Sequence, residues 1–129
     1  MILDTDFLVA VIRKDDSAIK FIENNLDSYV ELCITHVNLW ELYQGVFKSE
    51  QVQENFQEVN ELVEHFKIIE FTKETAIRFG QLINDLRKQG KQIGVMDSFI
   101  ASVALENNQK IITRNIKHFE LTGTLIQTW

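Results

Sequence analysis

The sequence predicts an α/β protein in three layers, with helices on both faces of a mostly parallel five-stranded sheet. Short apolar runs recur at residues 1–3, 30–34, 67–71, 110–113 and 125–127, and most of the intervals between them carry apolar residues at helical spacing. Strands that alternate with helices build crossover units, and those units make a parallel sheet. The first run, Met1-Ile2-Leu3, ends abruptly in Asp4-Thr5-Asp6. A buried strand of this kind delivers Asp4 to an end of the sheet. Ligands of open parallel sheets sit beyond the carboxyl ends of the strands, so a carboxylate there faces a crevice. Aspartate is also a preferred helix cap, and Asp4 or Asp6 has a second reading as the cap of a helix starting near Phe7. Partners elsewhere in the chain decide between the two.

With 129 residues, 45% of them hydrophobic, the chain is expected to form a single domain over 1–129. A chain of this size buries about two-thirds of its unfolded surface. Proline is absent, glycine occurs five times, and nothing resembles a linker, a repeat or a low-complexity tract. The longest apolar stretches fall well short of the roughly 20 residues a membrane span needs. The N-terminus has neither a basic nor a long apolar region for secretion, so no membrane association and a cytoplasmic location are expected. Cys33 is the one cysteine, in the strand-like run Glu31-Leu32-Cys33-Ile34-Thr35. It reads as a small buried hydrophobe in a reducing compartment. Thirteen basic against nineteen acidic residues give a net charge of −6, which argues against coating nucleic acid by bulk electrostatics. If Asp4, Asp6, Glu41 and Asp97 form one cation-holding cluster, thirteen basic residues face fifteen acidic ones elsewhere, a balance of −2. A polyanionic substrate therefore stays open.

The elements follow in order. Phe7, Leu8, Val11 and Ile12 mark a first helix, closed by Arg13-Lys14-Asp15-Asp16. Asp16 and Ser17 are candidate caps of a second, striped by Ala18, Phe21, Ile22 and Leu26. After the strand at 30–34, Thr35 caps a third helix whose main stripe is read as Trp40, Tyr43 and Phe47, expected to pack in the core. Glu41 borders that stripe, with Gly45 one turn later leaving room beside it. Val52, Phe56, Val59, Leu62, Val63 and Phe66 make a packed amphipathic helix within 50–67, its acidic outer face solvated. Thr72 caps a long helix through about Lys88, with Gly90 as its stop. Asp97 lies just before or within the first turn of an apolar helix carrying Phe99, Ile100, Val103 and Ala104, where the helix dipole favours a carboxylate. Capping is again the competing role. Residues 114–119 read as a turn with one helical loop before the last strand.

Asp4, Glu41, Asp97 and Asn115 share one property: each follows a strand or sits early in the helix returning from one. A parallel sheet gathers such positions along one edge. Three carboxylates and an amide oxygen are hard ligands, suited to Mg2+ or Mn2+ and unsuited to zinc. His36, His65 and His118 have no metal-ligand spacing and read as structural or surface residues. Such a site is suited to phosphoryl chemistry. One ion activates a water while a second, about 4 Å away, stabilises the leaving oxygen, which hydrolyses a phosphodiester. Arg114, beside Asn115, is the leading candidate for a phosphate contact among Arg13, Lys14, Arg87, Lys88, Lys91, Arg114 and Lys117.

Four segments together carry a family resemblance: Asp4-Thr5-Asp6, Leu39-Trp40-Glu41-Leu42-Tyr43-Gln44-Gly45, Ile93-Gly94-Val95-Met96-Asp97-Ser98-Phe99-Ile100-Ala101, and Ile112-Thr113-Arg114-Asn115 with Phe119. In order and spacing they resemble the signature segments of the PIN-domain family, and within it the VapC-type toxins of toxin–antitoxin pairs. The likeness spans residues 1 to about 127. It implies a Mg2+- or Mn2+-dependent endoribonuclease, a sheet of strand order 3-2-1-4-5, inhibition by a cognate antitoxin, and a homodimer. Carried over by position, Asp4, Glu41 and Asp97 match the family's metal-holding acids, and Asp6 matches a position suited to contact a metal-bound water. The family's fourth acidic position falls on Asn115. That departure removes one negative charge and weakens a second metal site, leaving Asn115 as a neutral ligand or substrate contact.

Asp4-Thr5-Asp6 also fits the D-x-D of a haloacid-dehalogenase-like phosphatase, with Asp4 as nucleophile and Asp6 as acid/base. The chain is short for that family and offers no convincing later Gly-Asp pair. A phospho-acceptor receiver domain needs an aspartate after a central strand near mid-chain, where Phe71-Thr72-Lys73 has none. The non-enzymatic alternative is an RNA- or protein-binding module on the same fold, with Asn115 marking a weakened site.

Overall fold

The computed structural model describes residues 1–26 and 30–129. Strands β1 (Ile2–Leu3), β2 (Cys33–Thr35), β3 (Lys67–Ile69), β4 (Ile111–Ile112) and β5 (Ile126–Gln127) alternate with helices. The helices are α1 (Thr5–Ile12), α2 (Asp16–Leu26), α3 (His36–Lys48), α4 (Val52–Val63), α5 (Lys73–Lys88), α6 (Val95–Glu106) and α7 (Ile116–Phe119). The strands form one sheet in the order β3-β2-β1-β4-β5, each neighbouring pair parallel. The expected order holds. None of the described helices is long and apolar enough to cross a membrane.

The strands are shorter than their apolar runs, because pairing needs register as well as hydrophobicity. Ile2 is paired with both Cys33 and Ile111, and Leu3 with Ile112. The alternation of side chains along a strand sends consecutive residues to opposite faces. Leu3, Ile34 and Ile112 enter a core with Phe7, Leu8, Phe21, Leu42, Val46, Val59 and Phe66. Ile2, Cys33 and Ile111 enter a second with Leu82, Leu86, Ile100, Val103 and Phe119. One face of the sheet is thus covered by α1 to α4 and the other by α5 to α7, which makes the three layers. A fully buried side chain of this size contributes about 1.5–3 kcal/mol. Cys33 is buried as expected, and burial pushes its thiol pKa up.

Local signals placed most helix ends correctly. Thr35 and Thr72 each cap the following helix in a reciprocal box with Asn38 and Thr75. Gly90 ends the long helix at φ +68°, a left-handed conformation that glycine adopts without penalty. The second helix is capped by Asp15 rather than by Asp16 or Ser17: Asp15 Oδ1 accepts from the backbone N–H of Ser17 at 3.0 Å and of Ala18 at 3.1 Å. Ala18 and Phe21 of its stripe are buried, whereas the side chain of Leu26 lies outside the described residues.

The stripe expected on α3 is a correction. Asn38, Leu42 and Val46 face the core, while Trp40 is 47% and Phe47 67% exposed. Tyr43 is half-buried, and its hydroxyl donates to Asn60 Oδ1 at 2.5 Å. Phe56 of α4, 40% exposed, stands 5.6 Å from the Tyr43 ring and 6.2 Å from the Phe47 ring. Aromatic size suggested the core; the helix phase set by the Thr35–Asn38 cap turns Trp40 and Phe47 outward and leaves Tyr43 packed at the core's margin.

Candidate active site

Asp4 follows strand β1, is buried, and caps α1, one of the two roles its position suggested. Its Oδ1 caps α1 by accepting from the Thr5 backbone N–H at 2.8 Å. Its Oδ2 accepts from the Thr113 hydroxyl at 2.8 Å. Thr113 follows β4, the parallel neighbour of β1, so the sheet brings together residues 109 apart in sequence. The same hydroxyl lies 3.3 Å from Asp6 Oδ2, which also accepts from the Arg114 backbone N–H at 2.9 Å. Asp6 Oδ1 is buried and, among the described residues, has no hydrogen-bond partner.

Glu41 joins from the opposite side. The Thr5 hydroxyl donates to Glu41 Oε2, and Asn38 Nδ2 donates to that hydroxyl oxygen at 3.0 Å. The consequence for Asp4 is electrostatic. Burial, with the like charges of Asp6 and Glu41, pushes its carboxyl up from 3.8 to about 7, against the opposing hydrogen bonds from Thr113 and Thr5. A carboxyl near neutrality, crowded by two others, marks a site short of positive charge.

Asp97 occupies the third helical position of α6, as the sequence placed it. Its Oδ2 lies 3.3 Å from His118 Nδ1 on α7. A Cβ at Gly94 would stand 2.5 Å from that same oxygen, so the missing side chain of Gly94 is the space the carboxylate uses. Asn115 caps the four-residue α7 without a side-chain bond to it, and its backbone N–H donates to Thr113 Oγ1 at 2.9 Å.

The contacts of Arg114 lie with α2 and the C-terminal tryptophan. Its guanidinium lies 3.4 Å from Asp15 Oδ2, donates to Ser17 Oγ, and stacks 4.3 Å from the centre of the Trp129 ring. Ser17, the Ala18 backbone N–H and Arg114 together hold the half-buried Asp15 carboxyl down at about 2. Trp129 packs edge-on to Phe7 at 4.9 Å, tying the corner to the core. Arg13, Asp6, Arg114 and Trp129 line a cavity of about 370 Å³ here. On the other side of α1, Glu41 and Gly45 line a cleft of about 260 Å³ floored by Val9, Ile12, Leu42, Val46 and Val59, so the room expected beside Glu41 is present.

The donor chemistry fits a hard divalent cation. Carboxylate oxygens predominate, one of them is buried and unpartnered, and Asp4 is crowded by like charge. In the arrangement described, Asp97 is turned to His118, and among the described residues no three His, Cys, Asp or Glu side chains converge on one point. The sequence singled out the carboxylates but gave no role to the residues that bond them in the structure. Thr113 belongs to a signature segment that gave it no role of its own, Thr5 is masked by the two aspartates that flank it, and His118 carries no spacing signal.

A fully parallel sheet in this order, with acids after β1, in the second turn of α3 and in the first turn of α6, defines a PIN-type α/β fold. The PIN domain family matches residues 1–123, and the chain belongs to it. Within that family it is 30% identical over 131 residues to ribonuclease VapC2 of Rickettsia felis, covering 98% of this chain and 96% of that protein. It is 28% identical over 123 residues to the tRNA(fMet)-specific endonuclease VapC of Shigella flexneri, covering 95% and 92%. The fold is similar to that in the crystal structure of VapBC2 from Rickettsia felis bound to a promoter DNA fragment. The TM-score is 0.93 at 28% identity, over 99% of this chain and 97% of that one.

Proposed function

We propose that the protein is a metal-dependent endoribonuclease, the toxin of a VapBC-like toxin–antitoxin pair. One observation carries this: Asp4, Asp6 and Glu41 are gathered by Thr113 and Thr5 at the carboxyl end of the central strand, with an unpartnered buried oxygen on Asp6. The whole-chain similarity to VapC ribonucleases supports RNA as the substrate.

Asp4, Glu41 and Asp97 would hold Mg2+ or Mn2+, with Asp6 acting through a water and Asn115 as a weaker neutral ligand. The bound ion supplies polarisation of a phosphoryl oxygen and a water that loses its proton near neutral pH. The chain's own residues do the positioning. Thr113 keeps Asp4 and Asp6 aligned, and Gly94 leaves the Asp97 carboxylate its place. Arg114 contacts an RNA phosphate by exchanging Asp15 for it. The exposed Trp40 and Phe47 supply apolar surface for the antitoxin and for a second copy of the chain. The VapBC complexes of similar fold support an antitoxin partner.

The test is cleavage of an end-labelled structured RNA with Mg2+, Mn2+ or EDTA, by wild type and by Asp97→Asn checked for folding by circular dichroism. Metal-dependent cutting lost in the folded variant is the expected result. Cutting that survives in Asp97→Asn comes from elsewhere and removes Asp97 from the site. A wild type that cuts no RNA in either metal favours the second reading, an RNA- or protein-binding module, for which the neutral Asn115 is the supporting observation.

A further inference from the structure

A chain of directed hydrogen bonds runs into Glu41 from beneath. Asn38 is fully buried, and its Oδ1 accepts from both the backbone N–H and the hydroxyl of Thr35, each at 2.7 Å. Those two donors fix which end of the amide faces which way, so the NH2 end must point at Thr5, to which it donates at 3.0 Å. The Thr5 oxygen is thereby occupied as an acceptor. Its single proton goes to Glu41 Oε2.

Glu41 needs such a restraint. It sits beside carboxylates that repel it, and its like charge is among the causes that push Asp4 up. On its other side lies the cleft past Gly45, where an added Cβ would meet nothing within 4 Å. A glutamate has three side-chain torsions, and repulsion with open space behind it drives the carboxylate outward.

We propose that Thr5, locked by Asn38, is the positioning residue that holds the Glu41 carboxylate in the site, leaving Oε1 free for a ligand. Thr5 touches neither substrate nor ion in this role. It acts through Glu41, as outer partners of metal-binding carboxylates do, whose loss lowers affinity or activity by ~10–100-fold. The consequence for activity rests on the ribonuclease function proposed above; the consequence for geometry does not.

The variants are Thr5→Val, which keeps the branched shape and deletes the hydroxyl, and Thr5→Ser, which keeps the hydroxyl. Thr5→Ala, whose vacated space admits a water to Asn38, replaces Thr5→Val if that variant does not fold. Three quantities are measured: Mn2+ affinity by calorimetry, kcat and KM for RNA cleavage, and the Glu41 side chain in crystals of each variant. Thr5→Val is expected to weaken Mn2+ binding and kcat by ~10–100-fold, with KM for RNA nearly unchanged and Glu41 turned into the Gly45 cleft. Thr5→Ser is expected to restore all three. A folded Thr5→Val that binds Mn2+ and cuts like wild type overturns the assignment. So does a Thr5→Ser variant as impaired as Thr5→Val, because the methyl group rather than the hydroxyl is then what matters. Should wild type neither bind Mn2+ nor cut RNA, the ribonuclease function falls. The crystals then decide the role of Thr5: a displaced Glu41 in Thr5→Val supports it, and an unmoved one ends it.

Discussion

Gly94 and Asp97 are in contact through an absence: a Cβ on Gly94 would lie 2.5 Å from Asp97 Oδ2. The backbone at Gly94, φ −57° and ψ 143°, is open to any residue, so the requirement for glycine is one of space. Gly94→Ala should therefore leave stability within about 1 kcal/mol of wild type, since the unfolded chain also loses freedom. The carboxylate has to move, and a displacement of about 1 Å at a reacting group costs up to ~10²-fold in rate. Thermal denaturation alongside RNA cleavage separates the two effects. A Gly94→Ala protein with wild-type cleavage shows that Asp97 works from another position.

Asp4 makes the metal-free protein pH-sensitive. Its carboxyl rises from 3.8 to about 7 on folding, so the folded state binds the proton more tightly than the unfolded state does. The associated stability is fully present below about pH 4 and is lost as pH rises through 7, at about 1.4 kcal/mol for each pH unit between the two values. Between pH 5 and 8 the melting temperature of metal-free wild type should fall further than that of Asp4→Asn, which keeps a good helix cap. Mg2+ added at pH 8 should recover the loss in wild type by binding the ionised form. Parallel pH profiles for the two proteins would count against a raised Asp4.

Thr113 serves two carboxylates with one hydroxyl. Thr113→Val strands the buried Asp4 Oδ2, and a buried acceptor left without its donor costs about 1–3 kcal/mol. Urea denaturation at pH 8 reads that cost directly. Thr113→Ser should stay close to wild type; equal losses in both variants would assign the effect to packing of the methyl group.

Arg114 is held by Asp15, Ser17 and Trp129. If it exchanges Asp15 for an RNA phosphate, Asp15→Asn frees the guanidinium while retaining a capping side chain for α2, and KM for RNA should drop. Arg114→Ala should raise KM and reduce the salt slope of RNA binding by about 0.7, the loss of one contact to a single strand. Unchanged salt slopes in Arg114→Ala would leave Arg114 as a clamp on Trp129 alone.

Much of this protein was written locally. The alternation of apolar runs with helical spacing predicted the layers, and Thr35, Thr72 and Gly90 marked the helix boundaries where the structure has them. The abrupt ending of the first strand in Asp4 located the edge where carboxylates collect. Such features are legible because capping and periodicity act within a few residues.

The tertiary structure decided which groups meet. Thr113 reaches Asp4 only because β4 is the register partner of β1, and Thr5 reaches Glu41 only because α3 returns beside α1. Trp40 and Phe47 stand in solvent because the phase of α3 gives the core to Asn38, Leu42 and Val46. Hydrogen bonds across 36 or 109 residues depend on sheet order and helix phase together, and no local pattern carries both. The carboxylates were thus visible in the sequence, while the hydroxyls and the glycine that aim them became visible only once the chain was folded.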